Sequence, residues 1–409
     1  MILRECAIAG FKEIQANKLR SFLSILGIIV GVIALVSMMS IMTGIERSSM
    51  MRMDEMGGLR KATIYPVPPM KDEVKRPDLQ KELTVRDAKD IKDRLPGIHY
   101  SAASMQTYLP VTRSGLNQLD TIVMGVMPDL FSIEKRILAQ GRLLTEQDEE
   151  QSRNICVLGS AVREQLFGRS PSVVGQSIEV GGVLLDVVGT LKEKRLLGKG
   201  GKNIFAFENM KIYVPITTFS KKLRPKDKIY RIDYLVRRQR DISEMSVQVA
   251  RILKQNHGGV EDVMVETQEE KYRQSKKSSL TMKIAFSGIA GISLIVGGIG
   301  ILNVMLANIA QRVREIGIRK ALGAKSRDIF YQFLIESVLV SSTGGVLGML
   351  GSFLVVFIIR YFLPESPPVI GLDAVLLATT SSVLAGVVFG VYPALKASRL
   401  DPIYALRYQ

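Results

Sequence analysis

Four stretches with almost no charge, Phe22–Met42, Ile284–Ile309, Ile329–Ile359 and Leu372–Leu395, constrain this chain more than any other feature. A helix rises about 1.5 Å per residue and crosses bilayer hydrocarbon in about 20 residues, so each stretch is long enough for one span. The reading is four transmembrane helices, one ahead of a long polar middle and three behind it. Only Glu336 and Asp373 bring acids into these stretches, both read as near an end from which a carboxylate reaches headgroups or water. A hydrophobic content of 47% is high for an ordinary soluble protein, and 23% charged residues is high for a bundle of spans, so the two are segregated along the chain.

Orientation follows the flanking charges. Arg4, Lys12, Lys18 and Arg20 precede the first span, Arg312, Arg314, Arg319, Lys320, Lys325 and Arg327 follow the second, and Lys396, Arg399 and Arg407 follow the fourth. The turn between spans three and four offers only Arg360. Both termini are therefore expected inside and Thr43–Lys283 outside. A cleaved signal peptide is the rival for the first span, but Phe22–Met42 is too long for a signal core and lacks a small-residue cleavage pattern. Leu3, Ala7, Phe11 and Ile14 share one face of a helix over residues 2–18, suited to lie in the inner interface as a segment 1–21.

The net charge of +16 invites a nucleic-acid reading. Residues 43–283 hold 41 Lys/Arg against 31 Asp/Glu, so most of the excess lies outside the membrane, where no nucleic acid is expected. Attraction to anionic headgroups or an acidic ligand fits that surface, as does simple solvation. Cys6 and Cys156 fall on opposite sides in this topology and cannot pair. The outer region must then hold itself together by its core, for which about 240 residues suffice.

That region alternates strand and helix patterns. Strands are expected at Ala62–Val67, Tyr100–Thr112, Leu119–Val126, Ile155–Leu158, Ser177–Val180, Leu184–Leu191, Ile212–Val214, Tyr230–Arg237 and Val263–Thr267. Helices are expected at Thr84–Leu95, opened by Thr84 with Asp87 three residues on and closed by Pro96-Gly97, at Ser160–Phe167 before Gly168, and at Ser243–Gln255 before Gly258-Gly259. Lys71–Lys81 reads as a charged loop. The order predicts an α+β body of two β-α-β halves, about 43–115 and 228–270, with a β-rich subdomain inserted at about 116–227 and a helical stalk at 271–283.

Little in the sequence looks catalytic. His99 and His257 have no second ligand at metal spacing, and a structural or solvated histidine is the better reading. Ser152 and Ser160 have no base beside them in sequence, and Glu146, Asp148, Glu149 and Glu150 read as a solvated helix start that could also hold a divalent cation. Lys199-Gly200-Gly201-Lys202 is no phosphate loop, because the G-x-x-x-x-G-K-[ST] spacing is absent from the sequence. No cofactor or metal is expected on this chain. Gly297, Gly298 and Gly300 in the second span and Gly344 and Gly348 in the third would let helices approach closely, although Gly is common in membrane helices generally.

Gln311–Asp328 holds six Lys/Arg and two acids between the second and third spans. Val313, Ile316, Ile318, Ala321 and Leu322 are spaced roughly as one helical face, which suits a short helix lying along another protein. Within it, Arg314-Glu315-Ile316-Gly317-Ile318-Arg319-Lys320-Ala321-Leu322-Gly323-Ala324 resembles the permease subunits of MacB-type ABC transporters, the FtsX-like, type VII group. The tail Pro393-Ala394-x-x-Ala397-Ser398-x-x-Asp401-Pro402-x-x-Ala405-Leu406 resembles them too, with support from Gly141-Arg142, Cys156-Val157-Leu158-Gly159, Leu166-Phe167-Gly168 and Val174-Gly175-Gln176. The likeness covers nearly the whole chain.

The resemblance implies a domain plan of 22–42 as first span, 43–283 as a periplasmic core, and 284–409 as an FtsX-like permease domain. The latter comprises spans 284–309, 329–359 and 372–395, a coupling segment 311–328 and a cytoplasmic tail 396–409. It further implies that Arg314, Glu315, Gly317, Arg319, Lys320, Ala321, Leu322 and Gly323 form the helix that sits on an ATP-binding subunit, with Glu315, Arg319, Lys320 and Leu322 as contacts. ATP and Mg would belong to that separate subunit, this chain being non-catalytic. Implied partners are a second copy or a similar permease, membrane lipids, a periplasmic adaptor and an outer-membrane channel; the implied location is the bacterial inner membrane. Mechanotransmission for efflux of a drug, peptide or envelope compound is the leading expectation. The same architecture also serves lipoprotein extraction or activation of a cell-wall hydrolase. A ligand-sensing receptor is disfavoured because residues 396–409 offer no signalling domain, and a membrane enzyme because no catalytic constellation is present.

Overall fold

The computed structural model describes residues 18–67, 82–113, 117–168, 170, 173–196, 203–225, 227–363 and 366–407. The interfacial helix expected over 1–21 falls almost wholly outside them, as do Lys71–Lys81 and the Lys199–Lys202 turn. The chain forms two compact units, Ser49–Ser275 and Met1–Ser48 with Lys276–Gln409.

The Ser49–Ser275 unit is built on ten strands: β1 (Lys61–Pro66), β2 (Ile98–Arg113), β3 (Asn117–Val126), β4 (Leu138–Gly141), β5 (Ile155–Leu158), β6 (Ser177–Val180), β7 (Val183–Leu191), β8 (Lys211–Pro215), β9 (Arg231–Val236) and β10 (Val263–Thr267). Their order is β10-β1-β9-β2-β3-β8-β5-β7-β4, with β6 against β2 and β7. The expected halves and insert thus share one hydrogen-bonded sheet. β2 is the reason: Ile98–Ser104 pairs with β9, while Ser104–Arg113 pairs antiparallel with β3. Beyond it, β3–β8 and β5–β7 are parallel.

Helices pack on this sheet. In α2 (Val85–Arg94), the backbone N–H of Thr84 donates to Asp87 Oδ2 at 2.8 Å and Asp87 N–H donates back to Thr84 Oγ1, the reciprocal cap that the sequence predicts. Two short helices, α3 (Asp129–Ile133) and α6 (Ala206–Asn209), escape sequence reading because so few residues show no period, whereas α4 (Glu146–Glu150) forms where the acidic run reads as a helix start. α5 (Ser160–Phe167) lies between α4 and α6, and α7 (Ile242–Asn256) presents Ile242, Val249, Ile252 and Leu253 to the core. That face follows the helical period.

Two polar clusters are buried with it. Lys61 and Arg231 flank Asp233 at 3.0 and 2.7 Å, Arg231 and Arg136 hold Glu134 at 2.9 and 3.0 Å, and Glu208 bridges Arg136 and Lys211. Burial raises the Glu134 pKa, but Arg136, Lys61, Arg231 and Lys211 together hold it well below the carboxylate range. Such clusters cost desolvation and specify alignment. Here the cluster fixes β1 and β9 against Glu134, α6 and β8 of the inserted part. The second cluster sets His257 between Asp262, 2.6 Å from Nδ1, and Asp87, 3.4 Å from Nε2, while Asn256 donates to Asp87 and Asp90. His257 is therefore a structural link between α7 and the start of α2.

The acidic run is solvated only in part, at Glu146 and Glu150. Asp148 and Glu149 are buried, and Arg142 places two nitrogens on Asp148 at 2.6 and 3.0 Å, filling the seat a cation would take. Among the described residues, no group of three or more His, Cys, Asp or Glu could hold a metal.

Among the described residues, four helices are apolar and long enough to cross a bilayer. They are α1 (Lys18–Glu55), α8 (Gln268–Gln311), α10 (Ser326–Phe362) and α11 (Leu372–Ser398). All outrun the apolar stretches, since hydrophobicity sets the span but polar helix formers extend the helix; the expected stalk 271–283 is the first part of α8. Glycine sets the packing. A Cβ on Gly27 would stand 2.5 Å from Gly297 Cα, and one on Gly298 would meet the Phe389 ring. Gly344 lies against Ile25 and Ile28, Gly348 lies against Ile29 and Val32, and Gly300 is half-buried. Glu336 does not reach water as expected. It is 4% exposed within α10, and Arg312 Nη1 lies 3.5 Å away, so an ion pair offsets its desolvation.

Candidate coupling site

Between the second and third spans, Gln311–Asp328 forms α9 (Val313–Ala321) and a tight turn into α10. α9 ends where Gly323 adopts φ +101°, a conformation open to glycine and strained for other residues. Two residues later, Lys325 N–H donates to Asp328 and starts α10. Glycine thus lets the chain reverse within Leu322–Lys325.

The apolar residues of α9 do not form one face. At about 100° per residue, Ile316 and Ile318 point nearly opposite ways. Ile316 is buried with Ile309, Ile329, Phe333, Ala394 and Ala397, and Gly317 is buried beside it. Ile318 and Leu322, four residues apart, share the outer face and are 44% and 83% exposed. Arg314, Glu315, Arg319, Ala321 and Gly323 are exposed too. Arg319 donates to Glu315 at 2.6 Å and to Gln332 at 2.8 Å, which holds the outer face in one conformation.

Lys320 does something its sequence position does not reveal. Its Nζ donates to the backbone carbonyls of Ser398 and Leu400, at 2.6 and 2.8 Å. These lie at and just beyond the end of α11, where helix carbonyls lack intrahelical partners. Its ammonium is thus turned inward, unlike Leu322. α12 (Pro402–Arg407) follows directly and packs along α9, with Ala405 buried. The signal for this contact was in the tail motif, but the distance from 320 to 398 in sequence hid the pairing.

The geometry describes two packed helices, α9 between the second and third spans and α12 after the fourth, with a basic and apolar outer face on α9. The model of the MacB-like periplasmic core domain matches residues 21–272, more than half of the chain. This chain belongs to the MacB family. The FtsX-like permease C-terminal model matches residues 287–402 of the MacB-type chain, which include α9. The chain is 33% identical over 413 residues to the macrolide export ATP-binding/permease protein MacB of Bdellovibrio bacteriovorus, covering 98% of this chain and 61% of the relative. To the protein of the same name from Escherichia coli K12 it is 31% identical over 405 residues, covering 98% and 60%. The MacB-type chain thus spans about three-fifths of the length of these relatives. It is also similar to the periplasmic region of MacB from Actinobacillus actinomycetemcomitans, at 18% identity and TM-score 0.45, over 56% of this chain and 97% of that one. The MacB-type chain is a multi-pass membrane permease of the ABC transporter class with a periplasmic α+β core domain.

Proposed function

We propose that this permease passes the work of ATP hydrolysis on an ATP-binding partner to its periplasmic domain, and that α9 is the part the partner pushes. The observation that carries this reading is the outer face of α9. Leu322 protrudes at 83% exposure beside Ile318, with Arg314, Arg319 and Glu315 around it. An exposed apolar knob on a stiff helix suits insertion into a partner's cleft. Movement there has a route onward, since α8 is one helix from Gln268 to Gln311 and contains both the stalk and the second span. In this reading both termini and α9 are cytoplasmic, the permease works as a dimer, and ATP and Mg are bound by the partner. The relatives are named for macrolide export, which favours efflux of a drug, peptide or other envelope compound as the work done. The close glycine contacts support spans that move as packed units rather than around a wide cavity.

The test uses the full chain with the ATP-binding protein that co-purifies with it. Replacing Arg319 and Leu322 by Glu is expected to abolish complex formation and stimulation of ATP hydrolysis. Complexes that form and stimulate as in the wild type would overturn the reading.

A further inference from the structure

Among the described residues, nothing covers Ile403 and Tyr404 on α12. Ala405 is buried, whereas its neighbours Ile403 and Tyr404 are 70% and 74% exposed. Exposing both would be an unrewarded cost on a surface helix whose only other business is to cover α9. Asp401 caps the helix by accepting the N–H of Ile403 at 2.8 Å, so the two side chains start from a fixed backbone. Tyrosine is well suited to such a place, because it offers a large contact area with few rotamers to freeze.

The charges around this face are one-sided. Arg314, Lys325, Arg327, Lys396 and Arg399 are exposed on α9, on the turn into α10, and at the end of α11. Of the acids nearby, Glu315 pairs with Arg319, while Asp328 and Asp401 accept backbone N–H groups and keep their charge, so the five exposed cations outnumber two unpaired carboxylates. What remains for a partner is a cationic field with apolar points in it. A protein surface that is acidic around apolar pockets complements it.

We propose that α12 is a second docking element for the ATP-binding partner, with Ile403 and Tyr404 anchoring beside Ile318 and Leu322 on one cationic platform. Lys320 makes the platform one piece, because its two hydrogen bonds tie the end of α11, and α12 after it, to α9. A load on either helix is then shared by the second, third and fourth spans. A membrane surface is the weaker occupant, because six residues of α12 expose too little apolar surface to hold an interfacial helix. The inference rests on the reading of α9 as the coupling helix.

The experiment measures the affinity of the full chain, in nanodiscs of phosphatidylcholine, for the ATP-binding protein that co-purifies with the wild type. Ile403→Glu with Tyr404→Glu is expected to weaken binding at least tenfold, Tyr404→Ala about threefold to tenfold, and Leu322→Glu at least tenfold. Lys320→Met is expected to weaken it severalfold without removing any group from the platform's outer face. If Leu322→Glu weakens binding and both α12 variants stay within twofold of wild type, the inference fails and the coupling role of α9 stands. If none of the variants weakens binding, the coupling role of α9 fails and takes the inference with it. A loss on Ile403 and Tyr404 substitution that appears only as weaker association with vesicles containing phosphatidylglycerol assigns α12 to the lipid surface and overturns the proposal.

Discussion

In the outer unit, Phe131 and Tyr213 fill the sheet face with rings whose centroids are 5.4 Å apart, and both side chains are almost wholly buried. In the membrane unit, two helix backbones meet at Gly27 and Gly297, where the absence of side chains is itself the contact. The outer unit folds in water, so large apolar side chains bring the most surface out of solvent. Between spans the surroundings are as apolar as leucine, and what remains to be gained is close van der Waals approach. The same chain therefore uses volume in one unit and its absence in the other. The second arrangement suits the proposed coupling, in which the spans shift as rigid bodies.

The comparison can be broken from either side. Phe131→Ala should destabilise the outer unit by about 3–5 kcal/mol, the usual result of emptying a core ring site. A thermal melt of the full chain in detergent checks it, and a loss below about 1 kcal/mol would mean the face is loosely packed. Gly297→Leu should act in the opposite sense, adding bulk where there is none, at about 1–3 kcal/mol or more because the obstacle is backbone. Phe131→Leu should be milder than Phe131→Ala, whereas at Gly297 even alanine should be felt, and reversal of that order would undo the contrast.

A smaller effect concerns charge inside the outer unit. Burial raises the Asp148 pKa, but hydrogen bonds from Arg142 and Thr145 more than reverse this and bring it to about 2. A depressed carboxylate stabilises the fold above its unfolded pKa of about 4, and the contribution is lost as pH falls through about 2. Asp148→Asn should therefore lower stability at pH 6 and flatten the decline between pH 4 and pH 2. Identical slopes for variant and wild type would remove Asp148 from the acid response.

How much of this could be read from the sequence depends on the range of the interaction. Strands Ile155–Leu158, Ser177–Val180 and Val263–Thr267 and helix Ser160–Phe167 have the bounds that their local patterns predict. The Thr84 cap was equally legible, since it needs only four consecutive residues. Parallel pairing of β3 with β8 was not, because no local pattern says which distant strand adjoins. At the candidate site, the sequence marked α9 but carried it through Leu322 and Gly323, beyond its end at Ala321, and placed Ile316 with Ile318, whereas a helix separates them. Lys320 was legible as a cation and illegible as a tie, because its carbonyl partners lie 78 and 80 residues away.

Cys156 sits on β5 between β7 and β8 with no exposed surface, and burial pushes its thiol well above the ordinary range. A thiol kept protonated and covered is a poor nucleophile, so oxidants and alkylating probes reach it only when the sheet opens. Nature has thus left one dormant reporter within the outer sheet, two strands from its β4 edge. Its labelling rate counts the openings of that sheet, and comparing the rate with and without ATP turnover would register whether the sheet itself yields under load or is carried as a solid body.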